Sequence, residues 1–249
     1  MQYHIHLTEE HGARYAIIPG DPGRVEKIAA YLDDAKQVSY NREYNSYLGY
    51  LDGEKVLVVS TGIGGPSCAI CVEELSKIGV DTFIRVGTCG GMQPNVEPGD
   101  VVIGSGAIRQ DGTSREYLPI EFPAVADFKV TQALYNAAEK LGYRNHVGVV
   151  QAKDSFYGQH SPESMPIAPE LLYKWEAWKR GGCLASEMEG AALFIVGAAR
   201  RLRTGAVFHC VWNQEIAKSA MPKERKEDTS CAIKTAIEAI RILIAEDKK

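Results

Sequence analysis

The 249-residue sequence has no excess of basic residues and no long apolar run. Its 28 Lys and Arg against 32 Asp and Glu give a formal net charge of −4, which argues against a nucleic-acid-binding surface. No segment approaches the roughly 20 apolar residues of a membrane-spanning helix. The N-terminal residues also lack the basic and apolar regions of a signal peptide. We therefore expect a cytoplasmic protein that binds neither membranes nor nucleic acids.

The six cysteines show no pattern typical of a metal site. A zinc site would need a second pair of ligands beside the Cys-x-x-Cys of Cys68 and Cys71, and the sequence contains no second such pair. Both residues fall on the apolar face of a predicted helix, so we expect them to pack in the core. The other cysteines lie mostly within apolar runs and are typical of reduced residues; we expect Cys89 to be a small packing residue.

The glycine-rich motifs of nucleotide-binding enzymes are missing as well. Residues 61–67 and 87–91 are rich in glycine, but neither segment has the spacing G-x-G-x-x-G. No G-x-x-x-x-G-K-[ST] segment occurs either. A dinucleotide or ATP site therefore loses most of its support.

Apolar runs rich in β-branched residues alternate with segments of helical periodicity. The predicted strands cover residues 15–18, 56–60, 82–87, 100–108, 146–153 and 206–212. The predicted helices cover residues 22–32, 66–79, 127–142, 169–180, 186–202 and 228–246. This alternation indicates an α/β fold of three layers, with a central mixed sheet flanked by helices. Since no linker or repeat interrupts it, we expect one domain over residues 1–249.

The segment Gly-Asp-Pro-Gly-Arg at 20–24 follows an apolar strand and precedes a helix. Such a turn directs backbone N–H groups to one point, which suits an anion such as phosphate. Arg24 adds a forked cation, and Asp21 is expected to hydrogen-bond the turn and orient the arginine. The alternative is an ordinary turn with a solvated arginine.

Arg85 lies within a predicted strand, where an unpaired cation would be costly. It is either a structural arginine bound to carbonyls or a carboxylate, or an anion ligand that faces a site. The nearby Thr88 and glycine turn favour the second interpretation. Arg24, Arg85, Thr88 and the amide of Gly20 would together form a phosphate cradle.

The segment Glu187-Met188-Glu189 is predicted to open a helix that Ser186 caps. Acidic residues in a first helical turn are favourable without any further role. Alternatively, Glu189 accepts hydrogen bonds from a vicinal diol such as the ribose 2′ and 3′ hydroxyls, with Met188 against the sugar.

Seven segments together are typical of one family. They are Gly-Asp-Pro-Gly-Arg-Val at 20–25, Asn-Arg-Glu-Tyr at 41–44, Ser-Thr-Gly-Ile-Gly-Gly-Pro-Ser at 60–67, Arg-Val-Gly-Thr at 85–88, Pro-Ile-Glu-Phe-Pro-Ala-Val-Ala-Asp at 119–127, Phe-Tyr-Gly-Gln at 156–159 and Glu-Met-Glu at 187–189. On these segments the chain resembles the nucleoside phosphorylases of the uridine phosphorylase type over essentially its whole length. The resemblance implies their fold and the phosphorolysis of a nucleoside to a free base and ribose or deoxyribose 1-phosphate, with inorganic phosphate as co-substrate and no cofactor.

The resemblance also implies roles for individual residues. Phosphate would be bound by Gly20, Arg24, Arg85 and Thr88, joined by Arg42 from a neighbouring subunit. Ribose would be bound by Met188, Glu189 and the neighbour's His4, and the base by Phe156 and Gln159. Glu43 and Ser67 match positions that hold a monovalent cation such as K⁺ at a dimer interface. Sites shared between subunits imply at least a dimer, and the family is commonly a homohexamer built as a trimer of dimers.

The identity of the base depends on two positions. Purine members of the superfamily place an aspartate after the late core strand, where this chain has Asn213, which cannot be a general acid. Uridine-specific members have an arginine two residues after the base-reading glutamine, and this chain has Ser161 there. His160 or Lys153 could donate to a pyrimidine carbonyl instead. We expect Arg85, Glu189 and Gln159 to carry the reaction.

Uridine is the favoured substrate, cleaved to uracil and ribose 1-phosphate in pyrimidine salvage. The alternatives are a purine nucleoside phosphorylase of the same fold, a nucleosidase that uses water, and a non-catalytic nucleoside-binding protein. Trp175 and Trp178 either line the pocket mouth or pack on the body of the protein, and the second is favoured.

Overall fold

The strands of the protein form one mixed sheet. The computed structural model describes residues 1–218 and 223–249. The strands are β1 (Tyr15–Pro19), β2 (Asp33–Asn41), β3 (Tyr44–Leu51), β4 (Glu54–Val59), β5 (Thr82–Gly91), β6 (Val101–Gln110), β7 (Ala124–Val125), β8 (Asn145–Lys153), β9 (Ala185–Glu187) and β10 (Arg203–Asn213). Their order is β10-β6-β8-β9-β5-β1-β4-β3-β2, with β7 paired to β6. β1 pairs in parallel with both β4 and β5, whereas β2, β3 and β4 pair antiparallel.

Part of the sheet closes into a ring. β10 pairs with β6 on one side and with β5 on the other, so β5, β10, β6, β8 and β9 are joined in a closed circuit of hydrogen bonds. β9 runs antiparallel to β5, with Gly90 opposite Ser186. The residues that follow Ser186 are therefore directed back along β5 toward Thr88.

Helices cover both faces of the sheet. They are α1 (Val25–Ala29), α2 (Gly65–Ser76), α3 (Thr113–Tyr117), α4 (Phe128–Lys140), α5 (Phe156–His160), α6 (Ala168–Arg180), α7 (Gly190–Arg200), α8 (Gln214–Ala217) and α9 (Ser230–Asp247). Short 3₁₀ turns lie at Glu9–His11, Pro22–Arg24 and Pro162–Ser164. The apolar faces of α2 and α7 pack in one buried cluster, and those of α1, α4 and α9 pack in a second. Adjacent residues of β5 alternate between the two clusters, as strand geometry requires. The predicted three-layer α/β fold is confirmed.

Two local predictions were wrong, and one hairpin was missed. The helix predicted from residue 186 begins at Gly190, because residues 185–187 pair as β9 and Glu189 occupies the N-cap. Ser186 is thus a strand residue rather than a helix cap. The hairpin of β2 and β3 was not predicted, since β2 is a polar edge strand with weak apolar alternation. The helix predicted over 22–32 is a 3₁₀ turn followed by the short α1.

The cysteines and the helices agree with the sequence-based expectations. All six thiols are free, and five of them are buried. Cys68 and Cys71 are fully buried within α2, which confirms the predicted packing role. Burial raises the pKa of the Cys68 thiol to about 12, so it is not a reactive thiolate. Within the described ranges, no helix combines the length and apolar character required to cross a membrane.

We predict that Gly205→Ala destabilises the fold at the contact of β10 with α4. A Cβ at Gly205 would lie 2.4 Å from Cγ1 of Val130, which is too close for any carbon pair. Overpacking of this kind costs about 1–3 kcal/mol, measured as a fall in melting temperature. Gly104→Ala is the matched control, because its Cβ would meet Phe208 at an ordinary 3.5 Å. Equal melting temperatures for the two variants would contradict this packing.

Candidate active site

The turn after β1 has the structure expected of an anion-binding segment. The Asp21 carboxylate accepts a hydrogen bond from the Gly23 amide at 2.9 Å, so it shapes the turn as predicted. Arg24 donates from Nη1 to the Val86 carbonyl at 3.1 Å, which directs the guanidinium toward β5. Burial lowers the pKa of Arg24, and Arg85 adds to the effect while Asp21 opposes it. Two cations therefore lie close together at this end of β1 and β5.

Arg85 is a buried cation whose hydrogen-bond donors are only partly used. Only 4% of the residue is exposed. Its Nη2 donates to the Glu189 carboxylate, and its Nε lies 3.4 Å from the carboxylate of Glu187, a charge contact without hydrogen-bond geometry. Its Nη1 has no hydrogen-bond partner in residues 1–218 and 223–249. Arg85 is thus bound to carboxylates, as one interpretation held, and it also retains a donor, as the other required.

That unused donor faces the turn after β1. A Cβ built on Gly20 would lie 3.7 Å from Nη1 of Arg85 and 3.1 Å from the Gly62 carbonyl. Thr88, three residues further along β5, is half-buried. The structure therefore brings Gly20, Arg24, Arg85 and Thr88 to one region, at the end of β1 and along β5.

Glu189 is held between β5 and the loop after β4. Besides Arg85, its carboxylate accepts a hydrogen bond from the Gly64 amide at 2.6 Å. Gly64 has φ +95°, a conformation that side chains disfavour, and this turns its N–H toward Glu189. Each carboxylate oxygen keeps a lone pair, so Glu189 remains able to accept from hydroxyl groups.

Glu187 is a site residue to which the sequence analysis gave no separate role. Its carboxylate accepts hydrogen bonds from the amides of Glu189 at 3.0 Å and Gly190 at 2.8 Å. Burial raises the pKa of Glu187, whereas Arg85 lowers it. Because Glu187 contacts both the Arg85 guanidinium and the backbone of the turn, it holds Glu189 in register with Arg85. Only the general signal of a buried arginine in need of counter-charges could have identified it.

A cavity of about 350 Å³ lies beside this region, on the side of β8. Lys153, Gln159 and His160 all line it. The Lys153 ammonium donates to the Ser186 hydroxyl at 2.7 Å, and that hydroxyl donates to Oε1 of Gln159 at 2.5 Å. The ring of Phe156, which is 50% exposed, lies 4.3 Å from that of His160. The predicted base-binding residues are therefore neighbours in the structure.

Three tryptophans also line the cavity. They are Trp175 and Trp178 of α6 and Trp212 of β10. The sequence analysis favoured packing of the first two on the body of the protein, but the structure places both at the cavity. The indole of Trp175 donates to the Glu215 carboxylate at 3.1 Å, which fixes α6 against the segment after β10.

Two predicted residues lie apart from this region within one chain. The His4 imidazole contacts the Glu74 carboxylate at 2.7 Å, and the His4 carbonyl accepts from Asn41 at 2.7 Å. Arg42 is exposed in the adjacent turn, beside the N-terminal residues. In the described part of the chain, no hydrogen bond or ion pair joins His4 or Arg42 to Arg85 or Glu189.

The comparison with known proteins decides the family. The family model described as "Phosphorylase superfamily" matches residues 14–245, which is nearly the whole chain. The chain belongs to the phosphorylase superfamily. The predicted resemblance is thereby confirmed at the level of the family.

Individual members of the superfamily are similar over almost their full length. A uridine phosphorylase of Treponema pallidum is 54% identical over 99% of this chain and 95% of its own. A uridine phosphorylase of Klebsiella aerogenes is 42% identical over 97% of this chain and 98% of its own. A guanosine phosphorylase of Halorubrum lacusprofundi is 39% identical over 96% of this chain and 98% of its own.

Asn213 has a structural use in this member of the superfamily. It is 1% exposed, and its amide donates to the carbonyls of Gln93 and Val96 at 2.8 Å. Its Oδ1 accepts from the amides of Glu215 and Ile216, which caps α8. Every polar atom of the side chain is therefore occupied by the backbone, and none faces the cavity as a proton donor.

We predict that Glu187→Gln destabilises the protein by about 2 kcal/mol, because an amide cannot accept from both backbone N–H groups and also neutralise Arg85. Denaturant unfolding at one fixed protein concentration measures the loss. Glu10→Gln, the same change at an exposed position, is the control and should leave the midpoint unchanged. An unaltered midpoint for Glu187→Gln would show that Glu187 does not support the turn.

Proposed function

We propose that the protein catalyses the cleavage of uridine by inorganic phosphate to give uracil and ribose 1-phosphate. The observation that carries the proposal is the unused donor of Arg85. Nη1 is buried, has no hydrogen-bond partner in the described residues, and faces Gly20 next to a second arginine. A buried donor of this kind is costly unless a ligand binds it, and phosphate is the ligand that two forked cations suit. The similarity to uridine phosphorylases supplies the nucleoside.

The proposed reaction follows from the charges. Gly20, Arg24, Arg85 and Thr88 hold phosphate below C1′ of the ribose, where its negative charge stabilises the cationic sugar as the glycosidic bond breaks. Glu189 binds the ribose hydroxyls, with Met188 against the sugar. Arg85 contacts Glu189 directly, so phosphate and ribose are positioned by one rigid ion pair. Phosphate attacks without activation, and no covalent enzyme intermediate forms.

The base leaves as an anion and requires donors on the side of the cavity. Gln159 is the proposed reader of the base, with Phe156 stacked near it. Both candidate substitutes for the missing arginine, His160 and Lys153, line the same cavity. Burial and the nearby Lys153 lower the pKa of His160, so its ring is neutral near pH 7 and Lys153 is the charged donor of the two.

A second copy of the chain would complete the site. His4 lies apart from Arg85 in its own chain, and Glu74 holds its Nδ1, which leaves Nε2 free to reach a ribose 5′-hydroxyl of a neighbour. Hydrogen bonds from Ile5 and His4 outweigh burial and lower the pKa of Glu74, so this carboxylate is ionised. Arg42 would reach the neighbour's phosphate from the same surface. We infer a dimer at least, and a homohexamer built as a trimer of dimers.

Glu43 and Ser67 suit a monovalent cation at that interface. The Ser67 hydroxyl lies 2.6 Å from the Glu43 carboxylate and also contacts the Thr61 carbonyl. The hydrogen bond from Ser67 lowers the pKa of Glu43, so the cluster offers four oxygen atoms with a single negative charge. Oxygen ligands of low total charge fit K⁺ better than a divalent ion. The cation would supply a link between subunits and takes no part in the reaction.

The remaining parts of the proposal concern the setting of the reaction. We place it in the cytoplasm, because the protein keeps six free thiols. The release of uracil from uridine would belong to pyrimidine salvage. No cofactor is needed, since phosphate itself is the nucleophile. Residues 1–249 are treated as one catalytic domain, because all the described strands belong to one sheet.

A purine nucleoside phosphorylase is the alternative, and the similarity to a guanosine phosphorylase favours it. This chain has no general acid at the position of the purine enzymes' aspartate, since Asn213 stands there and its side chain is bound to the backbone. A non-catalytic binding protein would not need a buried arginine donor beside Gly20.

The first test is base release from uridine, thymidine, inosine and adenosine, each with and without phosphate. We expect uracil from uridine only when phosphate is present, together with ribose 1-phosphate in equal amount. Chromatography of the released bases measures which nucleoside is cleaved and whether cleavage depends on phosphate. Release without phosphate would identify a nucleosidase, and a preference for inosine would favour the purine alternative.

Arg85→Ala is predicted to abolish turnover, by at least about a thousandfold, because it removes transition-state contacts to phosphate and to Glu189. Since the variant leaves two buried carboxylates unpaired, Arg85→Lys is included to keep the charge. We expect it to fold and to raise the KM for phosphate more than that for uridine. Arg180→Ala, an exposed arginine on α6, is the control. Normal phosphate affinity in Arg85→Lys would remove Arg85 from the phosphate site.

A further inference from the structure

A chain of three polar side chains connects the interior of the sheet to the cavity. Lys153 ends β8 and is 5% exposed. Its ammonium lies 2.7 Å from the hydroxyl of Ser186 on β9 and 3.4 Å from the Glu187 carbonyl. The Ser186 hydroxyl lies 2.5 Å from Oε1 of Gln159, which lines the cavity.

The hydrogen bonds from Lys153 through Ser186 to Gln159 can run in only one direction. An ammonium group donates and cannot accept, so the Ser186 oxygen is the acceptor of the Lys153 bond. The single proton of the hydroxyl is then directed at Gln159. The atom of Gln159 that receives it must be the carbonyl oxygen, because the amide nitrogen is a donor only. The NH₂ group of Gln159 is therefore left for the cavity.

We propose that Lys153 is a positioning residue that acts through Ser186 to fix the orientation of the Gln159 amide, with its NH₂ group directed at the base. The inference rests on the proposed function, since it concerns the group that reads the nucleoside. Gln159 would then donate to a carbonyl oxygen of the pyrimidine, and the second lone pair of its own carbonyl oxygen stays available to the ring N–H. Neither side chain has to move when the base binds, so the donor is in place before the reaction.

The direction of the chain depends on the charge of Lys153. Burial lowers the pKa of the ammonium to about 8, although the carboxylates of Glu187 and Glu189 raise it, and the Cys89 thiol also faces it. His160 on α5 is a further titratable group close enough to interact with Lys153. Below pH 8 Lys153 is charged and can only donate. Above pH 8 the neutral amine carries a lone pair that can accept the Ser186 proton, which releases Gln159 to rotate.

The experiment measures uridine binding and turnover in wild type, Lys153→Met and Ser186→Ala. The three tryptophans that line the cavity report binding by fluorescence, so the dissociation constant of uridine is obtained without turnover. Lys129→Met, the same change at an exposed position on α4, is the matched control. The ligands are uridine, 2-thiouridine and 4-thiouridine, since sulfur accepts hydrogen bonds more weakly than a carbonyl oxygen.

We expect wild type to bind one of the two thio-nucleosides about threefold to tenfold more weakly than uridine, the effect of one neutral hydrogen bond. This difference should largely disappear in Lys153→Met and in Ser186→Ala, while the KM for phosphate and the behaviour of Lys129→Met stay unchanged. Wild type should also lose affinity for uridine as the pH rises through about 8, and the two variants should not. Ionisation of uridine itself affects all proteins alike.

Several results would overturn the inference. They are equal binding of uridine and both thio-nucleosides by wild type, retention of the discrimination by either variant, and the same pH profile in all proteins. If one variant fails to fold, the other variant and the wild-type profile still decide. Uridine binding with the expected pattern but without phosphorolysis would contradict the proposed function and leave the inference intact.

Discussion

The structure depends on the neutralisation of one buried cation in the middle of its sheet. Arg85 lies on β5, between β1 and β10, where an isolated guanidinium would be strongly destabilising. Two carboxylates, Glu187 and Glu189, compensate its charge from the turn that joins β9 to α7. The same turn closes on itself through backbone hydrogen bonds to Glu187. The pairing of β9, the start of α7 and the geometry of the site therefore all serve to neutralise the buried charge of Arg85.

Arg85 and Lys153, two of the cations of the site, differ in character. The Arg85 guanidinium stays charged at any physiological pH, which suits contact with an anionic co-substrate. Lys153 is a compact ammonium whose charge burial weakens. The first lies with Glu189 and the second with Ser186, three positions apart in the segment that runs from β9 to the N-cap of α7. A permanent charge contact and a titratable one are thus close neighbours along the chain.

Much of the fold could be predicted from sequence, because long apolar and β-branched runs define β1, β5, β6, β8 and β10. The short β9 could not, since three residues carry no periodic signal and the acidic residues beside it are typical of a helix start. The phosphate-side cluster was accessible through local motifs, as Gly20 and Arg24 lie in one turn and Arg85 and Thr88 in one strand. The link from Lys153 to Gln159 was not, because it passes through Ser186, which is distant in sequence and was interpreted as a cap.

The closed ring of strands also separates two tasks. The residues proposed to hold phosphate come from β1 and β5, and those that line the base cavity come from β8, α5, α6 and β10. The two sets use different side chains and meet where β9 and β10 pair with β5, so a cavity side chain that does not interact with Arg85, Glu187 or Glu189 can be exchanged without disturbing the charges around Arg85. A single scaffold can in this way change the base it accepts while its sugar and phosphate chemistry stays the same. Such a division of the sheet is consistent with relatives named for different nucleosides, a uridine phosphorylase at 42% and a guanosine phosphorylase at 39% identity to this chain.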